Sequence, residues 1–342
     1  MLSKTMNAPP HAIFIGRLQR DFILLPDGQA YEDQIGGNAL YSAVGWCLWQ
    51  QDQSAGIVAK VGEDYPPDWL DEIAQRGIDI QGIRVERRSL DVRAFFAYHD
   101  LETYSQEDAI LHYAHHRLPF PKALMGYQPP PSHSDSRTQS QPISLRSTDL
   151  PKSYLDATAA HIAPIDYLTH NLLPSLLRQG SITTMTLAPS PAYMLPTFWL
   201  DIPQILRGLT AFLPHETDLR NLFKDRTNDL WEMMEGLGEY VEIIVVRKSE
   251  QSQWVYDARS RNRWFIPPYP ARTVCLHGTG DVFCGGFLAG FRQTYDPIEA
   301  ALYGNVAASI ASEGVGPFYA LGCEPRLPLA RLESLRQAVR KL

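Results

Sequence analysis

Between Val274 and Phe291 the chain reads Val-Cys-Leu-His-Gly-Thr-Gly-Asp and then runs on in apolar residues, and this stretch limits what the rest can fold into. Gly278 and Gly280, one residue apart, free the backbone to turn sharply. Asp281 follows at once, ahead of an apolar run of helical character, so the pattern predicts a loop opening into a helix. That helix carries Gly285, Gly286 and Gly290. Each costs about 1 kcal/mol relative to Ala in a helix interior. Such glycines predict close packing or the close approach of a ligand.

A helix amino end has backbone N–H groups without intrahelical partners, and with the macrodipole they attract an anion such as a phosphate. Gly278, Thr279 and Gly280 would let that anion come near. A carboxylate beside it is repelled, so Asp281 needs another reason to be there. It either takes a proton from a hydroxyl while the N–H groups hold the charge of a transferring phosphoryl group, or it is an N-cap.

The run from Gly278 to Phe291 resembles the C-terminal signature of the ribokinase-like PfkB family of carbohydrate and nucleoside kinases, D-T-x-G-A-G-D followed by a glycine-rich helix. The resemblance implies that Gly278, Thr279 and Gly280 form an anion hole and that Asp281 is the general base. It also implies ATP as donor and Mg²⁺ as cofactor. Cys275 and Leu276 replace the Asp and Thr of that signature, so the chain is identified as a divergent member.

Further matches occur in the family's order. The apolar run ending in Gly16 reads as a buried first strand, and Asp21 stands five residues beyond it. On its own Asp21 reads as a turn residue; the resemblance implies that it binds substrate hydroxyls. Gly36, Gly37 and Asn38 open a helix of small residues and resemble the N-terminal signature, where paired glycines let the backbone approach the acceptor. Tyr41 replaces a second Asn common in the family.

The second half departs more. His215-Glu216-Thr217-Asp218 stands where the family has N-x-x-E, leaving Asp218 as the carboxylate of the metal-phosphate region. Arg247 to Ser252 stands where T-x-G-x-x-G lines the nucleotide, with Ser249 and Ser252 in place of both glycines. Arg247 and Lys248 either meet phosphates or are surface charges. Asn305 and Gly316 are implied nucleotide neighbours.

Alternating strand and helix patterns point independently to an α/β architecture. The expected fold is a ribokinase-like three-layer α/β fold with a largely parallel central sheet and a small β-strand lid. It would form one domain over residues 11–335, with lid strands within 17–35 and 83–100. Residues 1–10 read as a loose leader. Residues 117–150, with three consecutive prolines at 129–131 and a Ser/Gln/Arg-rich tract, read as a flexible insertion. His112, His115 and His116 before it have a spacing from which a metal site is conceivable.

Other readings are limited by composition. The net charge of -7 over 342 residues argues against broad nucleic-acid binding. The four cysteines show no C-x-x-C pair or zinc spacing. No run reaches the ~18 apolar residues of a membrane span, and no apolar leader core is seen, so a cytoplasmic protein without membrane partners is expected. No P-loop motif is present, and the third glycine of G-x-G-x-x-G falls at Phe283, which disfavours a dinucleotide enzyme. Two readings remain. One is a kinase moving the γ-phosphate of ATP to a hydroxyl of a sugar or nucleoside; the other is a catalytically degenerate relative that binds a metabolite or regulates. An exposed lid edge could pair with a second copy as a homodimer.

Overall fold

The structure is a computed structural model that describes residues 8–129 and 134–342. Residues 1–7 of the expected leader, and Pro130 and Pro131 of the proline triplet, lie outside the described residues.

The strands in chain order are β1 (Ala12–Ile15), β2 (Gln19–Leu24), β3 (Ala30–Gly36), β4 (Ala55–Gly62), β5 (Ile78–Glu86), β6 (Arg93–Tyr98) and β7 (Tyr104–Ser105). They continue with β8 (Ala159–Ile162), β9 (Thr184–Leu187), β10 (Ala211–Phe212), β11 (Ile243–Arg247), β12 (Gln253–Asp257), β13 (Asn262–Ile266) and β14 (Arg340–Lys341). The helices are α1 (Asn38–Cys47), α2 (Pro67–Gln75), α3 (Ala109–His115), α4 (Tyr167–Leu177), α5 (Ile202–Leu206), α6 (Glu216–Leu222), α7 (Leu230–Leu237), α8 (Thr279–Thr294), α9 (Pro297–Ala311) and α10 (Leu327–Arg336).

Ten strands form one sheet in the order β14-β13-β12-β11-β10-β9-β8-β1-β4-β5. From β11 to β5 the neighbours are parallel, and β12, β13 and β14 add on antiparallel. Strand β1 is wholly buried because helices cover both faces. Its Ile13 and Ile15 join the core under α4, α5, α6 and α7, while Ala12 and Phe14 join the core under α1 and α2. This is the three-layer arrangement expected. The carboxyl ends of the parallel strands are left facing the second sheet.

That second sheet has the order β3-β2-β6-β7. One face, with Ile23, Ala94, Phe96 and Tyr98, packs towards Cys275 of the large body. The opposite face, with Phe22, Leu24, Phe95 and Ala97, is covered by Ala109 and Tyr113 of α3 and by Phe120, Leu124 and Tyr127. That outer apolar face of the lid sheet is thus filled by the chain itself.

Despite a composition that reads as loose loop, the described part of the 117–150 tract is anchored at both ends. Leu118, Phe120 and Leu124 belong to the lid, whereas Leu145 and Leu150 enter the core of the large body. Asp149 receives the Lys60 ammonium at 2.7 Å and the Arg84 guanidinium at 2.7 Å, and its other bond comes from the Arg146 N–H at 2.8 Å. Burial works to raise the Asp149 carboxyl, but Lys60 and these donors outweigh it and hold the group below its ordinary range. Composition registers the absence of regular structure here; it does not register these few buried anchors.

Candidate active site

A cavity of about 490 Å³ lies between the lid and the carboxyl ends of the parallel strands, where open α/β sheets hold their ligands. Three helix amino ends supply part of its wall: Gly37 and Asn38 at α1, Thr217 and Asp218 at α6, and Gly278 to Asp281 at α8. Arg247 and Lys248 enter from the end of β11, and Phe96, Tyr98 and Tyr104 close the lid side.

Gly278, at φ 74° and ψ -8°, is the N-cap of α8, so Asp281 is its third residue and not its cap. The capping explanation for Asp281 therefore falls. The Thr279 hydroxyl donates to the Leu276 carbonyl at 2.8 Å, and so is turned back onto the loop. The backbone N–H groups of Gly278 and Gly280 find no acceptor among the described residues, nor does any described residue donate to the Asp281 carboxylate. Burial raises the Asp281 carboxyl to about 6; Arg247 and His277 draw it down, and Asp21 pushes it up.

Arg247 sits over this loop. Its Nη1–H donates to the Gly280 carbonyl at 2.8 Å and its Nε–H to the Leu213 carbonyl at 3.2 Å. The backbone of Arg247 pairs with the 214–215 segment, which carries the altered motif to the same place. His215 caps α6, and Asp218 accepts the His215 N–H at 2.9 Å. Burial raises the Asp218 carboxyl to about 6, against the His215 N–H and Arg247. The same burial, with Arg247 adding to it, lowers the His215 imidazole to about 4.

Asp218 and Asp281 are carboxylates that line the cavity at the amino ends of α6 and α8. Among the described residues no group of three or more His, Cys, Asp or Glu could hold a metal ion by itself. Mg²⁺ keeps several waters and takes one or two carboxylates together with substrate phosphates. Two carboxylates beside unused N–H groups and an Arg fit a magnesium-triphosphate in that manner.

On the lid side the expected residues divide. Gly37 and Asn38 line the cavity, but the Asn38 amide is spent on the backbone, accepting from Arg17 N–H at 2.7 Å and donating to the Pro164 carbonyl at 2.7 Å. Gly37, at φ 106°, fits where a Cβ would lie 2.4 Å from the Arg17 carbonyl. Gly36 and Asp21 lie behind the wall, and Asp21 is fully buried. Tyr41 occupies the space beside the Gly278–Asp281 loop: a Cβ at Gly278 would come within 2.4 Å of its ring.

Of the implied nucleotide neighbours only Ser249 lines this cavity. The Ser252 hydroxyl donates to Glu250 at 2.8 Å. Asn305 donates to Gln253 at 2.7 Å and to the Pro267 carbonyl at 3.0 Å, and accepts from Tyr269 N–H, which makes it a clamp between α9 and the late strands. Gly316 has no atom near its missing Cβ.

Sequence reading passed over His277 and the lid aromatics. The alternation of Phe96 and Tyr98 on a lid strand is a signal for the latter. Nothing local marks His277, whose partner is 256 residues away.

A model of the pfkB family carbohydrate kinases matches residues 165–320. The chain is similar to the cytidine kinase of Thermococcus kodakarensis, with 25% identity over 293 residues, 82% of this chain and 88% of that one. Its fold is similar to that of a Burkholderia thailandensis nucleoside kinase solved with inosine, at TM-score 0.66 and 16% identity over 95% of this chain and 98% of that one. A Xylella fastidiosa fructokinase with bound ATP gives TM-score 0.66 at 16% identity over 96% and 99%.

Proposed function

We propose that this chain is a kinase of the ribokinase-like PfkB family and that it transfers the γ-phosphate of ATP to a hydroxyl of a small polyhydroxylated acceptor, a nucleoside or a sugar. The observation that carries the reading is the amino end of α8. Two N–H groups without acceptors and a carboxylate without a donor among the described residues face one cavity, and neither is needed to cap the helix.

Asp281 takes the proton of the acceptor hydroxyl as that oxygen attacks phosphorus. Its carboxyl, raised to about 6, is largely ionised at neutral pH yet basic enough to hold the proton. The N–H groups of Gly278 and Gly280 donate to the oxygens of the transferring phosphoryl group, where charge develops. Arg247 holds Gly280 by its carbonyl, and its positive charge favours the same anion. Asp218 would hold Mg²⁺, which when bound would neutralise phosphate charge. Lid residues Phe96, Tyr98 and Tyr104 shield the acceptor side from water.

The aromatic lid wall supports a nucleoside acceptor, since a flat base stacks on such rings. The altered 215–218 segment, folded into a helix cap, favours the second reading of a ligand-binding protein that has lost turnover. The test is ATP consumption with Mg²⁺ across a panel of sugars and nucleosides, with Asp281→Asn alongside. Acceptor-dependent turnover in the wild type that drops at least a thousandfold in Asp281→Asn, with acceptor affinity kept, is the expected result. Ligand-induced thermal stabilisation without turnover by either protein would favour the binding protein.

A further inference from the structure

A second cavity, of about 490 Å³, opens between the carboxyl-end halves of β4 and β5 and the 140–149 segment, and it shares no lining residue with the active cavity. Lys60, Arg84, Arg88 and Arg146 meet only two carboxylates there, Glu86 and Asp149. A surplus of two positive charges is left in a chain whose net charge is -7. The floor is neutralised from within: Asp149 takes Lys60 and Arg84, each at 2.7 Å, and Glu86 takes the Arg84 Nε–H at 3.0 Å. Neither Arg88 nor Arg146 has a carboxylate partner among the described residues, and the Arg146 guanidinium donates only to the Ser140 hydroxyl, at 3.2 Å. Both arginines stand on pinned backbone. The Arg146 N–H donates to Asp149 at 2.8 Å, and the Arg88 carbonyl accepts the Glu63 N–H at 3.1 Å.

A guanidinium is a planar fork that meets an oxyanion through two parallel N–H bonds. Two unpaired forks and two surplus charges suit one dianion, and a phosphate monoester carries a charge near that at neutral pH. The cavity has the size of a small-molecule site, larger than a bare tetrahedral ion fills. We propose that it is a second ligand site, which takes the doubly charged phosphate group of a small phosphate ester or of free phosphate on Arg88 and Arg146, above the Lys60–Asp149–Arg84 floor. The segment carrying Arg146 is thereby held to the sheet edge by ligand as well as by Asp149. Since the two cavities have no residue in common, this site does not depend on the kinase reading.

Calorimetric titration of the full chain with ribose 5-phosphate, and separately with inorganic phosphate, tests it. Wild type is expected to bind ribose 5-phosphate saturably at one site that Arg88→Gln/Arg146→Gln weakens at least tenfold and that Arg247→Met, altered at the other cavity, leaves within about twofold. Arg259→Gln/Arg272→Gln removes the same charge from exposed positions elsewhere and should also stay within about twofold. Inorganic phosphate binding as tightly as the ester identifies the free ion as sufficient; binding at least tenfold weaker identifies an ester, and either result upholds the site. Arg88 and Arg146 are exposed, so their variant should melt with wild type; if it melts lower, Arg88→Lys/Arg146→Lys, which keeps the charge without the fork, takes its place with an expected loss of at least threefold. No saturable binding, a loss in Arg247→Met in place of the Arg88/Arg146 variant, or an equal loss in the Arg259/Arg272 variant overturns the proposal. None of these measurements reads turnover, so the kinase reading stands or falls separately.

Discussion

Asp281 carries two opposed consequences. Its carboxyl is raised to about 6 by burial, so the charged form is penalised in the folded protein relative to the unfolded chain. Asp281→Asn is therefore expected to stabilise the fold at pH 7–8 by about 1–2 kcal/mol while removing turnover, the gain shrinking to nothing below the ordinary carboxylate range; thermal melts of both proteins across pH would check it. The base must be ionised, so kcat is expected to fall with an acid limb near pH 6. Arg247 lowers the Asp281 carboxyl, so Arg247→Met should move that limb to higher pH and reduce kcat at least tenfold; a pH–rate profile reads both effects. The glycine loop was legible in sequence because the conformations of Gly278 and Gly280 are local properties. The role of Arg247 was not, since two basic residues at a strand end look alike whether they face solvent or a helix end in another part of the chain.

At the scale of elements, the glycines of α8 answer the question their cost raised. A Cβ at Gly285 would lie 1.7 Å from the Ser42 carbonyl, and one at Gly45 would lie 2.1 Å from the Val282 carbonyl. Helices α1 and α8 therefore meet backbone to backbone, while Gly286 and Gly290 admit Gly304 and Tyr303 of α9. Close packing, and not ligand approach, accounts for them. Gly285→Ala is expected to destabilise by at least about 2 kcal/mol and to lower kcat, because the amino end of α8 is pushed from its place. Gly236→Ala in α7, where the new Cβ meets only the Phe223 ring at 3.7 Å, is the control and should be neutral or stabilising; denaturant melts distinguish the two. The long apolar strands were readable from their composition. Two-residue strands such as β7 and β14 carry too few residues to show any period, and they form only because a neighbour offers its edge.

For the whole molecule, the tract after α3 ties lid to large body through few contacts, of which Asp149 is the most exacting. Asp149→Leu would strand the Lys60 ammonium, which is almost fully buried. A loss of about 3 kcal/mol at pH 7 is expected, read as a fall in Tm. Because the Asp149 carboxyl is held below its ordinary range, the wild type should lose this advantage as pH falls through that lowered value, and the two proteins should converge in acid. Fold class, the largely parallel sheet and the two glycine loops could be anticipated from alternation and glycine placement; the covering of the lid by α3 and residues 118–127 could not, because it depends on which face of a mixed sheet turns outward. The joint of α1 on α8 also has a mechanical meaning. Side chains are what pressure can squeeze into better packing, and where Gly45 and Gly285 meet there are none between the two backbones, so little void remains to be lost at that point. Compression would leave the spacing of Gly45 and Gly285 nearly fixed and would be taken up by the ring-packed lid, so that the two walls of the cavity respond to pressure separately.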